Sequence, residues 1–206
     1  MIMKKLILIA AAALVALAPL SAESKKDQRD ARKEAAAAAK TLKRDGFKPL
    51  ELGDIQTRLE KYFIKTYDGC EQVVGTAENC MSSNLAQVTA LANAANKYAL
   101  NAGGAVRGRM VSSTSSLSTA QVDNLVASFE RLVEIEIKGE LVPYVLAVKE
   151  KRGLHSARAY CLVDIDGCLK AKMRAMQAAL QEQALLEQYG SSISDWIDEG
   201  FKPAGE

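Results

Sequence analysis

The sequence predicts an α+β fold: a mostly antiparallel sheet with helices packed on one face, and extra helices at the N-terminus. Three observations carry that prediction. Long segments repeat apolar residues every three or four positions, the spacing of one helix face. Shorter segments alternate apolar and polar residues, the period of a half-buried strand. Asp-Gly pairs at Asp45-Gly46, Asp68-Gly69 and Asp166-Gly167 punctuate the chain where one pattern gives way to the next.

The first element is an export leader. Lys4 and Lys5 precede an unbroken apolar run, Leu6 to Leu17, and small residues follow at Ala18-Pro19-Leu20-Ser21-Ala22. A basic start, a short apolar middle and a small exit residue make a secretory signal peptide over 1–22, with cleavage before Glu23. The run is too short to cross a bilayer, and no later stretch approaches a membrane span. The cleavage point lacks a cysteine, so no lipid anchor is expected. The expected location is periplasmic or secreted. The remainder reads as an N-terminal helical region, 23–68, and an α+β domain, 69–206.

Lys25 to Arg44 is rich in Ala, Lys, Arg and Glu, all strong helix formers. Its apolar side is mostly alanine, which predicts a helix that is solvated or loosely docked. A second helix is predicted from Leu52 to Tyr67, with Ile55, Leu59, Phe63 and Tyr67 on one face. Gln72 to Ala77 reads as a short strand. Ser82 or Ser83 caps a helix to about Ala102. Its predicted stripe is Leu85, Val88, Leu91, Ala92, Ala95, Ala99 and Ala102. Gly103-Gly104 ends it, and Val106 to Ser112 is predicted to be a strand with Arg107 and Arg109 toward solvent.

After a Ser/Thr loop, Ser118-Thr119-Ala120-Gln121 is a capping box for a short helix carrying Val122, Val126 and Phe129. Val133, Ile135 and Ile137 alternate with Glu134, Glu136 and Lys138, which predicts a strand. Val142–Lys149 and Ser156–Ile165 are strands joined by a six-residue polar turn, Glu150 to His155. One face of the second strand is expected to be covered (Ala157, Ala159, Cys161, Val163, Ile165), the other wet (Arg158, Tyr160, Asp164). A last helix is predicted from about Leu169 to Tyr189, with Leu169, Met173, Met176, Leu180 and Ala184 buried. A closing segment carries Ile193, Trp196 and Ile197.

Charge and composition exclude some functions. The formal net charge of the whole chain is +2, and two of the lysines lie in the leader. Without the leader the chain is near neutral by formal count, and aromatics are few, so no nucleic-acid partner is expected. Cys70, Cys80, Cys161 and Cys168 all fall in the exported part. An even number in an oxidising compartment predicts two disulfides among three possible pairings. A strand between Cys70 and Cys80 holds those two apart. Crossed pairing, Cys70 with Cys168 and Cys80 with Cys161, fits antiparallel neighbouring strands. Buried thiols are the competing reading. No Cys-x-x-Cys or histidine cluster supports zinc.

Other candidates read as ordinary surface or core. His155 is the only histidine and falls in the predicted turn. Asp164-Ile165-Asp166-Gly167 opens like a calcium loop but lacks the later ligands. Glu134, Glu136 and Glu140 read as a solvated face. Gly103, Gly104 and Gly108 are not followed by the Lys-Ser/Thr of a phosphate loop. Met173 and Met176 have core spacing. No catalytic residue, cofactor or metal is expected, and the chain reads as a non-enzyme.

Val74-Gly75-Thr76-Ala77, the alanine-rich helix after it and Ala102-Gly103-Gly104-Ala105-Val106 resemble the core of the LPP20-like family of exported bacterial proteins. Ala39 to Lys48 followed by Leu59-Glu60-Lys61-Tyr62 resembles uncharacterised signal-peptide-bearing Bacteroidetes proteins. The resemblance implies a non-enzymatic cell-envelope module, structural or interactive, whose partner is an envelope protein or surface component. A periplasmic small-ligand or glycan-binding protein is the alternative expectation.

Overall fold

A computed structural model describes residues 25–67, 70–113 and 117–185. The expected leader, its cleavage point, the Asp68-Gly69 turn and the closing segment around Trp196 lie outside the described residues. Among the described residues five helices and four strands follow in order: α1 (Lys25–Arg44), β1 (Lys48–Pro49), α2 (Ile55–Tyr67), β2 (Cys70–Cys80), α3 (Ser83–Ser113), α4 (Thr119–Ile137), β3 (Val142–Lys151), β4 (Leu154–Asp164) and α5 (Ile165–Glu182). The strands form one sheet in the order β1-β3-β4-β2, antiparallel throughout. The α+β class therefore holds.

Helices α3 and α5 pack on one sheet face, as expected, and α4 packs against those two helices. Their core joins Ala90, Ala94, Val106, Phe129 and Met176 to Ala157, Ala159, Cys161 and Val163 of β4. The extra N-terminal helices cover the opposite face. There Ala35, Ala39 and Leu42 of α1 and Leu59 and Tyr62 of α2 meet Val145, Ala147, Tyr160 and Leu162. The expectation of a loosely docked α1 is corrected: Ala31, Ala35, Ala39 and Leu42 are buried. Alanine buries little area per residue, but a four-residue repeat of it lets α1 lie close against α2. The face of β4 expected to be wet is likewise covered, with Tyr160 and Leu162 buried.

The N-terminal region and the α+β domain share this sheet. Lys48 and Pro49 pair with Val148 and Ala147, and the Leu50 amide donates to the Leu146 carbonyl at 2.8 Å. Phe47 anchors the junction. Its ring lies under Lys149 Nζ at 4.6 Å and the Arg158 guanidinium at 4.8 Å, a double cation–π contact. Arg158 also reaches Asp45 at 3.4 Å.

Two predicted strands are helix. Val106–Ser112 continues α3, which runs straight through Gly103, Gly104 and Gly108. Each glycine costs a helix about 1 kcal/mol relative to alanine, but Val106 and Met110 extend the buried stripe of Ala99. That burial outweighs the local penalty. Val133–Ile137 continues α4, with Lys138 as its C-cap, because Val126, Phe129, Val133 and Ile137 repeat at three and four residues and are all buried. The alternation with Glu134 and Glu136 was the weaker of two periods in one segment. The Ser118 capping box is present as predicted, with Ser118 and Gln121 bonded reciprocally.

The face that α3 buries is also rotated from the predicted one. Ala86, Ala90, Ala94 and Tyr98 point inward, whereas Leu85 and Val88 are about half exposed. The cause lies in β2. A Cβ on Gly75 would sit 1.9 Å from the Ala90 carbonyl oxygen, so the helix backbone rides directly on the strand. Only alanines fit beneath it. In α5 the buried stripe is Cys168, Ala171, Ala175, Met176, Ala179 and Leu180, while Met173 is partly exposed. Asp164 caps this helix directly, accepting from the Gly167 amide, so α5 starts four residues before its predicted start.

Candidate functional site

The cysteines illustrate how the sheet sorts the predicted residues. β2 and β4 are antiparallel neighbours, as crossed pairing requires. Their register, however, sets Cys80 opposite His155 and Cys161 opposite Val73. Six residues of strand, roughly 20 Å, separate Cys80 from Cys161 along the sheet. Cys70 packs with the core on the α1–α2 side and Cys168 with the core on the other side. The expected pairing is therefore corrected, and all four side chains are thiols in this structure. Cys161 and Cys168 are fully buried. Burial pushes the Cys161 thiol up to about 11 and the Cys168 thiol up to about 12. Both stay protonated at neutral pH and are poor nucleophiles.

His155 is not a turn residue. Arg152 and Gly153, with φ of 56° and 76°, form the whole turn, the backbone that a two-residue hairpin favours. His155 lies half-buried on β4 between Glu150 and Cys80. Asp164 is occupied as the α5 cap, consistent with strand end and turn rather than a calcium loop. Glu134 pairs with Lys138 at 2.7 Å and Glu136 with Arg174 at 2.8 Å, on a helix rather than a strand. Arg107 pairs with Asp123 across α3 and α4. Gly103 lets the Glu130 side chain lie against the α3 backbone. Among the described residues no three His, Cys, Asp or Glu side chains gather as a metal site. No helix there is long and apolar enough to cross a membrane.

The residues that do converge come from three elements. A cleft of about 220 Å³ opens between the start of β2, the middle of α3 and the first half of α5. Glu71, Gln72 and Val73 form one wall; Tyr98, Asn101 and Ala102 form the other, and Lys172 closes the end. Lys172 Nζ and the Glu71 carboxylate are 3.1 Å apart. The same ammonium lies 5.4 Å from the centre of the Tyr98 ring. Tyr98 is only 5% exposed, and its hydroxyl is buried without a hydrogen-bond partner. Burial first, then the nearby Cys168 thiol and Glu71 carboxylate, hold that phenol far above its usual range. It is therefore a neutral O–H donor whose neighbours, Glu71 and Cys168, are not placed to accept a well-formed hydrogen bond.

Sequence reasoning missed this cleft because Glu71, Tyr98 and Lys172 lie on three elements far apart in the chain and belong to no motif. The one visible signal is Tyr98 itself, a polar-tipped ring among alanines on the buried stripe of α3.

The chain matches no protein-family model, no curated protein and no solved structure.

Proposed function

We propose that this protein is an exported, non-enzymatic module of the cell envelope that works through contact with another envelope component. The observation that carries this reading is the outer side of α3. Because the alanines must face β2, the larger residues Leu85 and Val88 are turned to solvent one helical turn apart, with exposed Met81 just before them. Apolar side chains grouped in this way are the usual mark of a contact surface. The leader-like N-terminus and the LPP20-like resemblance support export and an envelope role. The protonated state of both buried thiols supports a role without cysteine chemistry.

The test uses the full chain in cells that export it. A photo-crosslinking residue at Val88 is expected to give a discrete envelope cross-link that Leu85→Glu abolishes, while the same probe at exposed Lys97 gives none. Recovery of the unprocessed chain in the cytoplasm, or no cross-link from Val88 in any fraction, retires the proposal.

A second reading, a periplasmic small-ligand or glycan-binding protein, is favoured by one feature: the cleft with the unpartnered Tyr98 hydroxyl at its wall.

A further inference from the structure

We infer that the cleft at the start of β2 binds an amino-acid-sized zwitterion, its carboxylate held by Lys172 and the Tyr98 hydroxyl and its ammonium by Glu71. The inference rests on the ligand-binding reading and names the ligand's chemistry.

Size sets the first limit. Pockets for drug-sized ligands run to roughly 300–1,000 Å³, and this one is about 220 Å³. It fits a molecule of a few heavy atoms. Charge sets the second. Lys172 and Glu71 present opposite charges in contact at the mouth, with side chains 15% and 40% exposed. A simple anion would recruit Lys172 and strand Glu71; a simple cation would do the reverse. A ligand carrying both charges one carbon apart replaces the ion pair with two charge-assisted hydrogen bonds. Glu71, the more exposed partner, is the side that can swing away toward a ligand's ammonium, while the largely buried Lys172 stays in place.

Tyr98 supplies the third limit. Its hydroxyl lies close enough to Glu71 and Cys168 to feel both, but makes a well-formed hydrogen bond to neither. It is buried inside a wall of the cleft, so a ligand oxygen reaches it only once the Glu71–Lys172 pair opens to admit the ligand. The backbone of β2 adds a matching pair. In an antiparallel strand alternate residues turn both N–H and C=O to the same side. The Thr76 carbonyl faces outward, taking a bond from Asn93 Nδ2 at 2.7 Å. Regular pairing from Cys70 to Ala77 then turns the amide and carbonyl of Gln72 outward as well, into the cleft. The Gln72 side chain points to the opposite face, where it donates to the Tyr62 carbonyl at 3.4 Å. The site thus offers one cation, one anion, one hydroxyl donor and one backbone donor–acceptor pair. It offers no open aromatic platform for a sugar ring.

The test is titration of the full exported chain, followed by amide chemical shifts. The probes are glycine, L-alanine and L-alanyl-L-alanine, then acetate, methylammonium and glycerol separately. At least one zwitterion is expected to saturate, binding at least ~10-fold tighter than acetate or methylammonium. Lys172→Met and Glu71→Gln should each weaken it by at least ~10-fold. Tyr98→Phe should weaken it too, without lowering Tm, since it removes a buried donor that has no partner. A Tyr98→Phe protein that binds normally but melts lower would show the hydroxyl to be structural and overturn its assignment. Acetate binding as tightly as L-alanine, or glycerol alone binding, would overturn the zwitterion while leaving the ligand-binding reading intact. No saturable shift from any probe at ~50 mM would overturn both.

Discussion

At the residue scale, the buried thiols carry a pH dependence with a defined sign. The ordinary value for such a thiol is 9.0, and folding raises Cys161 to about 11 and Cys168 to about 12. Above pH 9 the unfolded chain loses these protons while the folded chain keeps them. Stability is therefore fully present below pH 9 and falls as pH rises from about 9 toward 11 and 12. The slope approaches about 1.4 kcal/mol per pH unit for each thiol. Urea unfolding at several pH values between 8 and 11 checks this. Cys161→Ala should flatten the curve by one proton's worth, and an unchanged slope would show that Cys161 ionises in the folded state. The same residues show what was legible locally. Their burial was readable for Cys161, which alternates with Ala159 and Val163. Their separation was not, because it depends on which residue of β2 faces which residue of β4.

At the element scale, the contact between α3 and β2 decides most of what the sequence misled on. Gly75 has ordinary strand dihedrals, so its role is to be absent as a side chain, beneath the Ala90 carbonyl and the Ala94 amide. Gly75→Ala must push the two backbones apart and is expected to destabilise by about 3 kcal/mol or more, the upper end of overpacking costs. Gly103→Ala meets only the movable Glu130 side chain and should cost clearly less. Chemical denaturation of the two variants compares them directly; equal losses would show that α3 does not rest on β2 as described. The strand read at Val106–Ser112 failed for a related reason. Gly103-Gly104 is a local stop signal, but Val106 and Met110 sit four apart in register with Ala99 and Ala102, and tertiary burial prevails. In α4 both periods were present, and the three-and-four spacing of Val126, Phe129, Val133 and Ile137 was the one with a core to face.

At the scale of the whole molecule, the sheet is a middle layer whose two faces are covered by different parts of the chain. Removing 25–67 takes away α1, β1 and α2 and bares Val145, Ala147, Tyr160 and Leu162. That truncated chain is expected to bind a hydrophobic dye and aggregate rather than melt cooperatively, since exposed sheet faces of this size associate. A monomeric, cooperative 69–206 would show instead that the N-terminal region is an accessory to a self-sufficient domain.

The sequence by itself determined the helix and strand types of most elements, the capped start of α4, the hairpin and the α+β class. These follow from periodicity and from turn and cap chemistry, all of which act within a few residues. The tertiary structure alone decided that the sheet is covered on both faces, that α3 turns its alanines inward and its leucine and valine out, and that Glu71, Tyr98 and Lys172 meet. Each of those outcomes depends on strand register and backbone-to-backbone distance between segments far apart in the chain, where local preferences have no reach.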